Sequence, residues 1–168
     1  MTKNEFAAQV VSLQDTLYRV SYSLLPNPYD QDDAVQETIR IALQKRETLR
    51  EDRYLKTWII RILIHVCYGL LRKKKKELPT ETIEVVVPPT SDGTVVEALL
   101  KLEERFRLPL VLHHIEGYTT KEVSRILRVP EGTVKGRLVR GRDLLRIALL
   151  EGGMGYEGAY QAHIRRNY

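Results

Sequence analysis

The stretch TTKEVSRILRVPEGTVKGRLVRGRDLL, residues 119–145, carries the strongest structural signal in the chain. Thr119 followed by Glu122 fits a capping box, in which a threonine begins a helix and a glutamate three residues later bonds back to it. Apolar residues at helical spacing complete a short helix, and residues 128–129 form a tight turn. Pro130 suits the first position of a second helix, where its missing N–H costs nothing.

The second helix of this stretch shows one apolar face. Two helices joined by so short a turn predict a helix-turn-helix, whose second helix enters the major groove of DNA by its N-terminal turns. We call this second helix the recognition helix. A glycine on its apolar face, Gly141, predicts that a neighbouring helix crosses closely there. The residues predicted to be buried repeat at helical spacing: Val134, Leu138, Gly141, Leu145, Ala148 and Leu149.

The opposite side of the recognition helix is polar and mostly basic. Its first turns are expected to meet base edges and backbone, and its later arginines are expected to meet phosphate. The alternative is a solvated basic face on an ordinary helical hairpin. The candidate DNA-contacting residues are Glu131, Thr133, Lys135, Arg137, Arg140 and Arg142.

The N-terminal part of the chain predicts three further helices. The first spans residues 6–20 and ends before the prolines at 26 and 28. The second is capped by Asp30 or Asp32. Its predicted buried residues are Ala34, Val35, Ile39, Ala42 and Leu43.

The third of these helices has two distinct faces. Its predicted core stripe is Leu55, Ile59, Ile62, Leu63, Val66 and Leu70. A second face, here called the aromatic-basic face, is about 27 Å long at 1.5 Å per residue. Aromatic rings interleaved with cations suit unpaired DNA, because splayed bases stack on the rings. For Trp58 the sequence leaves core packing and DNA contact equally open. The aromatic-basic face comprises Tyr54, Trp58, Arg61, His65, Tyr68, Arg72, Lys73, Lys74, Lys75 and Lys76.

Charge divides the chain into four parts. Residues 1–76 and 95–150 carry net charges of +5 and +4, whereas residues 77–94 carry −4 and contain no Lys or Arg. Prolines make that acidic segment a poor helix former, so it is predicted to be a flexible linker. Residues 151–168 lack apolar periodicity and are expected to be a disordered tail. The predicted fold class is all-α, with two small helical domains, the C-terminal one a helix-turn-helix.

Several functional classes find no support in the residues. No nucleophilic triad, phosphate loop or carboxylate pair predicts catalysis, and no ligand spacing predicts a metal or cofactor. The single cysteine, Cys67, cannot form an internal disulfide, which favours a cytoplasmic location. The apolar run 58–71 contains Arg61 and His65 and is shorter than the ~20 residues that a bilayer needs, so no membrane span is expected. Residues 1–20 carry internal charges and do not predict a secretory signal.

Four segments together resemble extracytoplasmic-function (ECF) sigma factors of bacterial RNA polymerase. They are DDAVQET at 32–38, TWIIRI at 57–62, LLRKKKK at 70–76 and EGYTTKEVSRILRVPEGTVKGRL at 116–138. Their order and spacing match the family over most of the chain. The resemblance implies a transcription initiation factor with no enzymatic activity and no small-molecule substrate. Its implied partners are core RNA polymerase and promoter DNA, and an anti-sigma factor can be a third.

The resemblance also implies roles for individual residues. The loop at 47–53 and the aromatic-basic face would capture a flipped base of the −10 element and follow its phosphates. The recognition helix would read the −35 element, and the acidic linker would thread toward the RNA exit path. Neutralising the linker acids is expected to weaken initiation without changing isolated promoter-DNA binding. The residues that would dock on the clamp helices of the polymerase are Asp32, Asp33, Val35, Gln36, Glu37 and Ile39.

The sequence departs from the family pattern at three positions. The family usually has asparagine where His65 stands and often a polar residue where Gly69 stands, which puts the −10 preference in doubt. It usually has glycine where Arg128 stands, and a positive φ there would cost of order 1 kcal/mol. Two competing functions stay open, a free-standing helix-turn-helix regulator and a sigma-like decoy that binds polymerase but not promoter.

Overall fold

A computed structural model describes residues 1–77 and 93–150, and every regular element within those two ranges is helical. The all-α prediction is therefore confirmed for the described residues. The chain forms two compact units, with α1 to α4 in the first, α5, α6 and α8 in the second, and α7 divided between them after Val123. The predicted tail and nearly all of the predicted linker lie outside the described residues, and the domain boundaries stay a prediction.

The first unit is built from four helices. Helix α4 packs against α2 and α3, and α1 packs against α2 and α3. Two short 3₁₀ turns, Arg46–Thr48 and Asp52–Tyr54, connect α3 to α4. The helices are α1 (Lys3–Ser12), α2 (Gln14–Leu24), α3 (Pro28–Gln44) and α4 (Leu55–Glu77).

The predicted first helix is in fact two helices, α1 and α2. The chain turns at Leu13, whose φ of −90° and ψ of 0° leave the helical region. The Ser12 hydroxyl donates to the Gln9 carbonyl at 2.7 Å and so competes with the helical ladder. A serine that bonds its own backbone explains why an apolar pattern that continues through this point does not give one helix.

The cap of α3 also differs from the prediction. Asn27 caps the helix by accepting from the Tyr29 N–H at 2.8 Å, and Pro28 occupies the first helical position. The predicted caps, Asp30 and Asp32, lie inside the helix. An asparagine followed by a proline starts the helix earlier, because the proline ring already has a helical φ.

Helix α4 is the central helix of the first unit, and its buried stripe is rotated from the predicted one. Ile60, Ile64 and Cys67 are buried, whereas Ile62, Val66 and Leu70 are only partly buried. Because α4 packs against two helices at once, its buried face is wide enough to include neighbouring residues. The predicted burial of Leu43 is wrong, since its side chain is 45% exposed at the end of α3.

By length and composition alone, the helical segment Asp52–Glu77 could cross a membrane, with a mean hydropathy of 1.3 in its most apolar part. Core helices of water-soluble proteins satisfy the same criterion. Within the first unit this segment supplies the central core residues, among them Leu55, Ile59 and Leu63. The absence of a membrane span stays a prediction.

The second unit is organised around its longest helix, α8, which packs against α5 and α6. Its core includes Phe106, Leu110, Leu112 and Leu138. The predicted supporting helices, 98–105 and 109–116, are displaced, because the chain breaks earlier, at residues 102–103. The elements are α5 (Gly93–Lys101), α6 (Glu104–Leu110), a π-helical turn (Val111–Ile115), α7 (Thr120–Leu127) and α8 (Glu131–Leu150).

Gly141 marks the closest approach between α8 and α6. A Cβ atom at this position would lie 3.0 Å from Leu110 Cδ1 and 3.3 Å from the Phe106 carbonyl oxygen. The predicted close crossing is therefore confirmed. Further along α8 the buried residue is Leu144 rather than the predicted Leu145, and Leu149 is 39% exposed.

Candidate nucleic-acid interface

The N-terminus of α7 has the predicted capping box. The Glu122 N–H donates to the Thr119 hydroxyl at 3.2 Å, and the Thr119 N–H donates to the Glu122 carboxylate at 2.8 Å. The turn after α7 contains Arg128 with a φ of +56°. The expectation that this residue needs a left-handed backbone is confirmed, and the strain is of order 1 kcal/mol.

Helix α8 is the predicted recognition helix, and it exposes most of its candidate DNA-contacting residues. Thr133, Lys135 and Arg142 are exposed, whereas Arg137 and Arg140 are half-buried. Buried Val134 anchors the first turn of the helix from the opposite side. The polar residues therefore share a helix whose apolar residues hold it in the unit.

Glu131, the first residue of α8, is engaged within the protein. Its Oε1 accepts from the Thr120 hydroxyl at 2.8 Å and lies 3.6 Å from Lys135 Nζ. The Thr120 hydrogen bond first, and the charge of Lys135 second, lower the pKa of the Glu131 carboxyl. Thr120 carries no sequence signal for this role, because eleven residues separate it from its partner.

Arg142 has a histidine neighbour that the sequence did not indicate. Its Nη1 lies 3.3 Å from Nε2 of His114, so the guanidinium donates to a neutral imidazole. Burial, followed by the charges of His113 and Arg142, lowers the pKa of His114. The adjacent His113 donates from Nδ1 to the Tyr118 carbonyl at 2.6 Å, which holds its ring in place.

The aromatic-basic face lies along α4 and the turn before it. Its aromatic residues Tyr54, Trp58 and Tyr68 are half-buried. The guanidinium of Arg53 lies 4.8 Å from the centre of the Tyr54 ring. Most of the cations are exposed: Arg61, His65, Arg72, Lys73, Lys75 and Lys76.

Trp58 combines the two roles that the sequence left open. Its ring contacts Phe6 of α1 edge-to-face, with 6.2 Å between ring centres. Phe6 itself is buried, so one side of Trp58 belongs to the core. The half-buried indole nevertheless keeps part of its surface outside.

One lysine of the run at the end of α4 is paired within the unit. Lys74 forms an ion pair with Asp30 near the start of α3. Its three neighbours, Lys73, Lys75 and Lys76, are exposed. Lys74 thus ties the ends of the two helices together, and the three exposed lysines carry the charge that faces outward.

The residues predicted to dock on polymerase divide into two groups. Asp32, Asp33 and Gln36 are exposed, and Glu37 and Ile39 are partly exposed. Val35 is only 1% exposed, so it belongs to the core and cannot contact a partner in this structure.

The outer surface of α3 also carries an ion pair. Arg40 donates from Nε and Nη2 to the two carboxylate oxygens of Glu37, at 2.7 and 2.5 Å. This fork lowers the pKa of Glu37 and holds its carboxylate in one orientation.

In the described part of the chain, no three His, Cys, Asp or Glu side chains are arranged to hold a metal ion. The chemistry available at both surfaces is cationic and aromatic, which suits binding of a polyanion.

Comparison with protein families gives two matches in the same order as the two surfaces. Residues 10–77 match the model for sigma-70 region 2, and residues 93–145 match a model for sigma-70 region 4. RNA polymerase sigma factor SigV of Bacillus subtilis (strain 168) is 32% identical over 154 residues, 88% of this chain and 93% of the relative. ECF sigma factor SigM of Mycobacterium tuberculosis is also 32% identical, over 77% of this chain and 69% of the relative. The chain belongs to the ECF family of RNA polymerase sigma factors. This ECF sigma factor is a transcription initiation factor.

Solved structures show the same fold. The sigma factor RpoE of Bartonella quintana, in complex with the anti-sigma factor NepR, has a TM-score of 0.78 at 24% identity and covers 86% of this sigma factor and 96% of that chain. CnrH, in complex with the cytosolic domain of CnrY, has a TM-score of 0.69 at 26% identity and covers 90% and 91%.

Proposed function

We propose that this ECF sigma factor binds core RNA polymerase through α3, directs it to a promoter with −10 and −35 elements, and assists strand opening. The observation that carries the proposal is the presence of both sigma regions on one chain, each with exposed cations. Region 2 alone would suit a polymerase-binding decoy, and region 4 alone would suit a free-standing regulator. The combination supports initiation.

The −35 element would be read by the recognition helix. Thr133, Lys135 and Arg137 lie in its first two turns, from which side chains reach base edges in the major groove. Arg140 and Arg142 follow at positions suited to phosphates. Phosphate contacts fix the register of the helix on DNA, and base contacts give the sequence preference.

The −10 element would be held by the aromatic-basic face. Its exposed cations can follow a single-strand backbone, and its half-buried rings can stack on unpaired bases. Duplex DNA hides its base faces, so this surface gains most where the strands separate. Trp58 and the loop at 47–53 would hold the flipped base.

Docking on polymerase would use the acidic outer surface of α3. Asp32, Asp33 and Gln36 are exposed there, and the fork with Arg40 keeps Glu37 in a fixed orientation. Val35 would support this surface from the core instead of contacting polymerase.

We further infer that the chain has no catalytic activity of its own and acts in the cytoplasm, where core polymerase lies. An anti-sigma factor is proposed as an additional partner, which rests on the solved complex of RpoE with NepR.

The decisive experiment adds the purified full chain to core polymerase and measures promoter-dependent transcripts. Initiation from a two-element promoter is expected, and it should disappear when either element is scrambled. Binding to DNA without association with core polymerase would instead indicate a free-standing regulator. Association with core polymerase without selection of any promoter would indicate a decoy.

A further inference from the structure

Glu131 stands where the recognition helix begins, yet its side chain is directed to protein partners. One oxygen, Oε1, both accepts from the Thr120 hydroxyl at 2.8 Å and lies 3.6 Å from Lys135 Nζ. Thr120 is the first residue of α7, and Glu131 is the first residue of α8. The hydrogen bond therefore joins the first turns of the two helices that form the helix-turn-helix.

The carboxylate is held in its charged form. The hydrogen bond from Thr120, followed by the charge of Lys135, lowers the pKa of Glu131. A negative charge at this position suits the positive end of the α8 dipole. It also repels DNA phosphates, which makes a carboxylate here a poor primary DNA contact and favours a role inside the protein.

The orientation of the first turns of α8 decides where its DNA-contacting side chains lie. Thr133, Lys135 and Arg137 fall within six residues of Glu131. A recognition contact requires placement to within about half an ångström, so a small tilt of α8 against α7 displaces all three. The turn between the helices contains the left-handed residue Arg128. The Thr120–Glu131 hydrogen bond closes the same angle from the side chains.

The ion pair with Lys135 has a different character from the Thr120 bond. The two side chains are 43% and 63% exposed and lie four residues apart on one helix. Pairs of this kind contribute little to stability and exchange readily for another anion. Lys135 is thus oriented in the free protein without being locked away from a phosphate or a base.

We propose that Glu131 is a positioning residue for −35 recognition and not a reader of a base: its bond to Thr120 fixes the angle of the recognition helix, and its ion pair presets Lys135. Thr120 becomes a specificity-determining residue although it need not touch DNA. The inference rests on the proposed reading of the −35 element by α8.

The test uses the full chain bound to core polymerase and a duplex library randomised over the −35 element. Thr120→Val, which keeps the shape of the side chain and removes the hydroxyl, is expected to lower discrimination about three- to tenfold at more than one position. Glu131→Ala should give the same loss, and the double variant should be no worse than either single one, because both remove one bond. Glu131→Gln keeps an oxygen acceptor and should retain the preference.

Glu122→Gln is the matched control in the same domain. It weakens the capping box of α7 and leaves the bond between Thr120 and Glu131 in place. It is expected to lower the melting temperature and to leave the selected sequences unchanged. Altered selection by this control would show that any weakening of α7 suffices, and the specific role of the Thr120–Glu131 bond would be refuted.

Two results would overturn the inference. In the first, Glu131→Ala alters the preference at one base pair only and Thr120→Val selects as the parent does, which would make Glu131 a base reader. In the second, the losses of the two single variants add in the double variant.

Failure of the proposed function would look different. A parent chain that selects no −35 sequence with polymerase would refute −35 reading itself. Amide hydrogen exchange on the free chain would then still test the bond, since Thr120→Val is expected to speed exchange in the first turn of α8 about three- to tenfold. Unchanged exchange would contradict the positioning role of Glu131.

Discussion

The two units hold their nucleic-acid surfaces in different ways. In the first unit the aromatic-basic face shares α4 with six buried residues spread from Leu55 to Cys67. In the second unit the contacting residues lie at the start of α8, where the helix is anchored by buried Val134, the left-handed turn at Arg128 and the bond from Thr120. Packing preforms one surface, whereas the other depends on a few polar and backbone details. We therefore expect core changes to damage the first surface and small polar changes to retune the second.

The largest effect is expected from Ile59→Ala in α4. Ile59 is fully buried, and its truncation leaves a cavity that costs about 2–5 kcal/mol. Urea unfolding followed by circular dichroism measures this loss, with Ile59→Val as the control at about 0.5–1.5 kcal/mol. Binding of −10 single strands should fall in proportion to the unfolded fraction. A loss below about 1 kcal/mol would contradict the view that packing along α4 maintains this surface.

Trp58→Ala separates the core and DNA-contact roles of one residue. Loss of base stacking, ~1–3 kcal/mol, should slow strand opening, whereas closed-complex formation by the holoenzyme stays near the parent level. Removal of the edge-to-face contact with Phe6 adds about 0.5–1.5 kcal/mol of destabilisation. Trp58→Phe keeps an aromatic ring and should retain most of both functions. Equal loss of closed and open complexes together with a lower melting temperature would assign Trp58 to the core alone.

Arg137→Ala tests the second surface directly. If Arg137 contacts a base, the change costs ~1–3 kcal/mol of binding and relaxes the preference at one −35 position. Selection from randomised −35 duplexes measures both, and Arg146→Ala, far along the same helix, serves as the control. An unchanged −35 preference would remove Arg137 from the set of base-reading residues.

A smaller effect of opposite sign is expected at the turn. Arg128→Gly relieves the strain of a φ of +56° but loosens the unfolded chain, so the net stabilisation is about 0.5 kcal/mol. Arg128→Ala keeps the strain and controls for the lost side chain. Thermal unfolding distinguishes them, and a glycine variant less stable than the alanine variant would show that Arg128 is not strained.

The smallest effect concerns pH and His114. Because burial lowers its pKa from the ordinary 6.5, the folded chain binds fewer protons than the unfolded chain between the lowered value and 6.5. Stability should therefore rise with pH through that window and fall on acidification, as protonation of Nε2 breaks the bond from Arg142. Melting temperatures at pH 7.5 and 5.5 test this, and His114→Gln should show a smaller difference. An identical difference in both chains would exclude His114 as the cause.

The sequence predicted those features that depend on neighbouring residues. The capping box at Thr119, the need for a positive φ at Arg128 and the close crossing at Gly141 each follow from residue type and local spacing, and the structure has all three. The identity of the chain also followed from four short segments, since their order is specific to the family.

Features that depend on tertiary neighbours escaped the sequence. The break at Leu13 reflects a serine that bonds its own backbone within an uninterrupted apolar pattern. The buried stripe of α4 turned out wider than one helical period suggests, because two helices cover it. The partners Thr120, His114 and Asp30 lie far along the chain from the residues they hold, and no local pattern links them.

The π-helical turn at Val111–Ile115 has a consequence for how the second unit tolerates changes in length. The Glu116 amide reaches back five residues to the Val111 carbonyl, at 3.0 Å, so this turn holds one residue more than an α-helical turn. Deleting a single residue here would let the segment close as an ordinary α-helix and swing everything downstream by about 100°. An indel at this point would act as a change of azimuth, re-aiming the DNA-reading pair of helices while every side chain that touches DNA stays the same.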